Sequence, residues 1–162
     1  MDSRLLLVPA VLLAACGASS KVAGVVPIDP GFDWWCGDVP CAWTVEEGSV
    51  RRVATWHERD YGVELVGAPV VLYQDVELAN PSCLRFVLVA NVAEDAQVSV
   101  EVDAGIDGVI DETVPLPSAA WQPLTLMASR TVAPGPVRYV LRKVGPGSAV
   151  LADIVVDARG CP

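Results

Sequence analysis

The chain has 162 residues, 52% of them hydrophobic and 19% charged, with 13 Gly and 13 Pro. That length suits one domain with a real core rather than two, and that balance belongs to a folded body rather than a disordered one. A formal charge of −9 and a pI near 4.4 exclude a nucleic-acid partner, because phosphate binding needs a basic face, and they disfavour an electrostatic grip on anionic lipid.

Residues 5–15 are an apolar run, too short to cross a bilayer but suited to the core of a signal peptide, with Arg4 as a thin positive flank. The run ends in Leu13-Ala14-Ala15-Cys16, which resembles the lipobox of bacterial lipoprotein signal peptides. The resemblance implies a signal peptide over residues 1–15, cleavage before Cys16, and acylation of that cysteine. Several acyl chains on one residue anchor stably where a single chain does not. Residues 16–24 then read as the lipidated cysteine and a short flexible tether, and residues 25–162 as the domain. Gly17, where an Asp would imply inner-membrane retention, points to a cell-envelope protein lipid-anchored in the outer membrane, on its periplasmic side or at the cell surface.

The tether leads into residues 29–43, DPGFDWWCGDVPCAW, which combine a proline-glycine turn, carboxylates, three tryptophans and two cysteines. Without Cys16, four cysteines remain in a chain bound for an oxidising compartment, which is a disulfide signature with three conceivable pairings. Cys36 and Cys41 enclose only Gly-Asp-Val-Pro, a turn-forming segment, so they pair locally. Cys83 then pairs with Cys161 across a long loop, which stabilises by about 3–4 kcal/mol if unstrained. A zinc site is the alternative, but no second closely spaced cysteine pair and no nearby histidine accompany the first.

Beyond Trp43 the apolar residues recur with period two. Residues 49–56 and 62–66 read as strands flanking a charged loop, followed by strands over 69–78 and 83–92. In residues 97–103, QVSVEVD, the valines Val98, Val100 and Val102 face inward and Gln97, Ser99, Glu101 and Asp103 outward. Asp107-Gly108 is a hairpin signal, with a return over 109–116. Residues 121–128, 136–144 and 149–157 complete the set. That makes about eight to ten strands at the spacing of an all-β sandwich, with no capped amphipathic helix.

DPGFD at residues 29–33, Trp43 ahead of a glycine-containing strand, Trp121 before an apolar strand and the closing LADIVV together resemble jelly-roll carbohydrate-binding modules of galactose-binding-like fold. The resemblance covers most of residues 28–156 and implies a jelly-roll β-sandwich with Trp43 and Trp121 in its core. In that family the opening acidic residue and an acidic pair in the last strand help hold a structural Ca²⁺. Carried over, these are Asp33 and Asp153. Ala152 stands where the second acidic residue of the closing pair would be, so the Cys36–Cys41 bridge is expected to brace this corner in place of the metal, and no cofactor is required beyond that possible Ca²⁺.

Sugar rings stack on Trp and Tyr faces, which makes the aromatics the ligand candidates. Trp34 and Trp35 are adjacent and point to opposite sides of an extended chain, one in and one out. Trp56, His57 and Tyr61 flank the charged WHERDY loop, a binding-rim composition, and Tyr73 with Gln74 is placed to face a sheet surface. The acidic group Glu101, Asp103, Asp107, Asp111 and Glu112 lacks the spacing of an EF-hand loop and reads as strand faces and a turn. Catalysis finds little footing: there is a single histidine and no GxSxG elbow. The expectation is a non-enzymatic envelope module that meets the membrane through its anchor and binds a polysaccharide, or else an envelope protein as a scaffold.

Overall fold

The computed structural model describes residues 27–55 and 60–159, with residues 157–159 as backbone alone. Cys16, Trp56, His57 and Cys161 lie outside the described residues. Among those described there is no helix. The strands are β1 (Trp35–Cys36), β2 (Val39–Pro40), β3 (Thr44–Ala54), β4 (Tyr61–Leu78), β5 (Ser82–Val92), β6 (Val98–Ala104), β7 (Glu112–Pro115), β8 (Ala119–Val132), β9 (Gly135–Lys143) and β10 (Ala149–Arg159).

β1 and β2 form a small hairpin, and the other strands run in the order β7-β6-β9-β4-β10-β5-β8, with β3 paired to β4. The whole ladder is antiparallel. β4 is the hinge of this path. Its first part meets β10 at Val63 and Glu64, while its second part meets β9 from Val70 to Leu78. The strands expected over 62–66 and 69–78 are therefore one, turning from one layer into the other around Gly67-Ala68-Pro69. β3 accompanies both parts and breaks register on either side of Glu47. At Gly48 the backbone sits at φ 76°, and a Cβ would lie 2.5 Å from the Pro69 carbonyl oxygen, so only glycine lets β3 follow the bend. The far edges meet through side chains: Ser129 of β8 donates to Glu112 of β7 from both its backbone nitrogen, at 3.0 Å, and its hydroxyl, at 2.8 Å.

The jelly-roll sandwich that results has one core, filled by the alternation read in the sequence. Leu84, Phe86, Leu88 and Ala90 face Val98, Val100 and Val102 across it, with Leu72, Tyr139, Leu141, Leu151 and Ile154. Each fully buried Val, Leu, Ile or Phe among them contributes about 1.5–3 kcal/mol. Phe86 and Tyr139 meet edge to face at 5.6 Å. The Tyr139 hydroxyl has no hydrogen-bond partner among the described residues, and burial raises its pKa. Trp121 departs from expectation. It is half-buried at φ 47° and outside the core cluster, where Asn91 is oriented to accept from its indole N–H at 3.3 Å.

Candidate functional site

The N-terminal corner is built by Asp29. Its carboxylate accepts from the backbone nitrogens of Asp33, at 2.8 Å, and Trp34, at 3.1 Å, closing the Pro30-Gly31 turn. The turn drives Phe32 into the core, fully buried against Trp43 with ring centroids 5.2 Å apart. Phe32 pays for that with φ 53°, a conformation a bulky residue rarely adopts. Gln74, expected on a sheet surface, is instead buried and ties the entering chain to the fold: it accepts from Ile28 N at 2.7 Å and donates to the carbonyls of Ile28 and Ala42.

From this corner the chain enters the β1–β2 hairpin, clipped by a Cys36–Cys41 disulfide with Cα atoms 5.0 Å apart. Trp34 and Trp35 diverge, as adjacent residues of an extended chain do. Trp34 is 62% exposed. Trp35 is half-buried against the core, and its indole N–H donates to the Phe32 carbonyl at 2.6 Å. Trp35 forms one wall of an open cleft of about 520 Å³, whose other walls include Asp38 of the hairpin and Ser49, Val50, Arg51 and Arg52 of β3. Arg51 is held by Glu64 across the strand pair, Nε to Oε2 2.7 Å. Arg52 lies over the Tyr61 ring, 3.6 Å from its centroid. Thr55 donates to the Asp60 carbonyl from both backbone and hydroxyl, clasping the chain on either side of residues 56–59 next to Tyr61.

Tyr73 lies elsewhere, on the outward face of the layer formed by β7, β6, β9 and the second part of β4, beneath Arg138 at 3.8 Å. This face is saturated. Arg138 forks onto Asp75 at 2.6 and 2.8 Å, which raises the guanidinium pKa, and Arg142 donates to both oxygens of Glu101 at 2.9 Å. Glu101 and Asp103 point outward as the alternation requires, yet both are buried. Asp103 accepts from the backbone nitrogens of Asp107 and Gly108 at 3.1 and 3.0 Å, and Asp111 from Ala104 N at 2.8 Å. The bonds from Ser129 hold the Glu112 carboxyl below its usual range. The acidic group is a set of turn and strand fasteners.

Asp33 and Asp153, far apart in sequence, do approach one place: a Cβ at Gly31 would lie 2.9 Å from Asp33 Oδ2 and 3.7 Å from Asp153 Oδ1. The bulge in β10 that carries Asp153, at φ 51°, is pinned by Ile154 N donating to the Pro30 carbonyl at 2.9 Å. Ca²⁺ takes six to eight oxygens. Two carboxylates supply a minority of these, and among the described residues no three Asp, Glu, His or Cys side chains gather to hold a metal. Cys83 is disulfide-bonded.

Arg51, Arg52, Asp38 and Ser49 belong to the cleft without standing in any motif of the sequence. An adjacent arginine pair in an acidic chain, just ahead of an aromatic loop, was the available signal.

No protein-family model and no curated protein matches this chain. Solved structures match in shape. A family 61 carbohydrate-binding module in complex with β-1,4-galactotriose aligns with a TM-score of 0.57 at 15% identity, covering 83% of this chain and 99% of that one. The fold is that of a carbohydrate-binding-module jelly roll. A family 4 module gives a TM-score of 0.56 at 14% identity over 82% of this chain and 99% of its own. The CBM22-1 xylan-binding domain of Paenibacillus barcinonensis Xyn10C gives 0.54 at 13% over 86% and 98%. At these identities the likeness extends to architecture alone.

Proposed function

We propose that the protein is a non-catalytic glycan-binding module, held at the cell envelope by a lipidated Cys16, and that it binds in the cleft between the β1–β2 hairpin and β3. The observation that carries this is the joining of an aromatic wall, Trp35, to polar side chains of Asp38, Ser49 and Arg51 in one open cleft. Its volume falls within the roughly 300–1,000 Å³ of small-ligand sites. A pyranose ring offers an apolar face to stack on an indole and a rim of hydroxyls that needs such partners. The carbohydrate-binding modules of the same fold support the reading. Asp75, Glu101, Asp103 and Asp111, outside the cleft, are engaged in guanidinium and backbone bonds, and Glu112 is shifted opposite to what a general acid requires.

Titration of the full-length protein with galactan, glucan and xylan oligosaccharides tests this through tryptophan fluorescence. A saturable change that Trp35→Ala weakens at least about tenfold, with Trp35→Phe retaining part of it, is expected. No change with any glycan would sink the reading. For the anchor, the protein should partition into the detergent phase and Cys16→Ser into the aqueous one; equal partition removes that part alone.

One observation favours a protein-binding scaffold instead. Val39 pairs with Cys36 and Trp34 bonds to Cys41, so Trp34 and Val39 share the outer face of the hairpin, 62% and 42% exposed. A stoichiometric partner cross-linked through that face in membranes would decide for it.

A further inference from the structure

We propose that the cleft selects an anionic sugar, a uronate, with Arg52 binding its carboxylate. This rests on the glycan-binding reading above and adds the chemical class of the ligand.

Arg51, Arg138 and Arg142 are each committed to a carboxylate of the protein itself, Glu64, Asp75 and Glu101. The ammonium of Lys143 is buried and donates to the Gly67 carbonyl. Arg52 differs. It lines the cleft, is exposed, and pairs with no carboxylate among the described residues. In a chain of net charge −9, a cleft guanidinium with no carboxylate partner among the described residues is the feature that needs an explanation.

Its position supplies one. Arg52 stands opposite Val63 in the β3–β4 register and Ala54 opposite Tyr61, so Arg52 and Tyr61 occupy the same face of the strand pair, diagonal to one another. The tyrosine ring supports the flat of the guanidinium at 3.6 Å. Stacking of this kind fixes the plane of the group and leaves its N–H edge available. A planar fork presented edge-on matches a carboxylate through two parallel hydrogen bonds. A tetrahedral sulfate ester can also offer two oxygens to that fork, but its remaining oxygens stand out of the guanidinium plane and gain no partner from it. Neutral hydroxyls would gain little from a full positive charge. Asp38, on the opposite wall, limits the site to one anionic group and suits the hydroxyls of the same ring as an acceptor. The ring itself lies against Trp35.

The probe should be short, because the net negative charge of the protein repels a long polyanion. Full-length protein is titrated by calorimetry with trigalacturonate, with β-1,4-galactotriose as the neutral arm and a sulfated galactose trisaccharide as the other anion. Trigalacturonate is expected to bind at least about tenfold tighter than either. Arg52→Gln should erase that preference, and Arg52→Lys should restore only part of it, since the point charge returns without the fork. Equal affinity for the three probes, tighter binding of the sulfated sugar, or a preference that survives Arg52→Gln would each overturn the proposal. If galactotriose binds and trigalacturonate is not preferred, the uronate assignment fails and glycan binding stands. If no probe binds, both fall. Melting temperature and circular dichroism of Arg52→Gln, an exposed position, confirm that the variant is folded.

Discussion

Two surfaces of this sandwich carry the same kinds of residue and use them in opposite ways. On the outward face of the β7-β6-β9-β4 layer, Tyr73 lies under Arg138, Arg138 forks onto Asp75, Arg142 embraces Glu101, and Asp103 ties down the following turn. Each of these charges has an answer within the protein. At the cleft beside β3, Tyr61 lies under Arg52 and the guanidinium meets no carboxylate among the described residues. The pairing of tyrosine with arginine is the same; what differs is whether a carboxylate of the chain completes it. A side chain saturated by its own fold fastens the fold, and one supported on a single side is available to something else. Aromatic and charged composition alone therefore does not identify a binding surface.

Breaking the saturated face gives the largest expected effect. Asp103→Ala removes a buried carboxylate that accepts from two backbone nitrogens, Asp107 and Gly108, and that also favours the charged form of Arg138. Hydrogen bonds to a charged acceptor contribute more than neutral ones, so the loss should be about 2–4 kcal/mol. The midpoint of thermal unfolding should fall by roughly 10 °C, with Asp103→Asn falling less because one acceptor remains. Oligosaccharide affinity measured well below the midpoint should be unchanged. A loss of affinity as large as that from Trp35→Ala would place the ligand on this face and reverse the comparison.

The same contrast explains what could be read from the sequence. Period-two alternation located nearly every long strand, because an inward valine or leucine leaves a regular trace: residues 83–92 were expected and β5 is Ser82–Val92, while residues 97–103 became Val98–Ala104. The local disulfide was legible from its short turn. The single span of β4 was not, since Gly67-Ala68-Pro69 reads as a break and only the two layers pairing on either side make it a bend. Nor was the burial of Glu101 and Asp103. Alternation says which way a side chain points, and it is silent about the arginines and the turn that then cover it. The cleft was least legible. Trp35 sits on a hairpin strand too short for any periodicity, and it shares a cleft with Arg52 only because the turn at residues 29–33 brings the hairpin beside β3. Of the aromatic candidates, Trp35 lines the cleft and Tyr61 borders it through Arg52, Tyr73 belongs to the saturated face, and Trp34 stands on the outer side of the hairpin.

Removing the hairpin clip sharpens the comparison with a smaller loss of stability. The Cys36–Cys41 bridge closes a short loop, so its chain-entropy contribution is about 2 kcal/mol, less than that expected for Asp103. The backbone bond from Cys41 N to the Trp34 carbonyl at 2.8 Å and the indole bond from Trp35 to the Phe32 carbonyl remain in Cys36→Ser/Cys41→Ser, and the hairpin should persist as one of several arrangements. The cleft wall would then have to be ordered by the ligand, which lowers affinity through lost preorganisation. Calorimetric titration should show oligosaccharide affinity reduced about three- to tenfold alongside a midpoint lowered by roughly 5–8 °C. Asp103→Ala would thus cost more stability and no affinity, and the cysteine variant less stability and measurable affinity. If the cysteine variant loses stability while binding is unaltered, Trp35 is positioned by its bond to the Phe32 carbonyl and by packing alone, and the disulfide belongs with the fasteners of the other face.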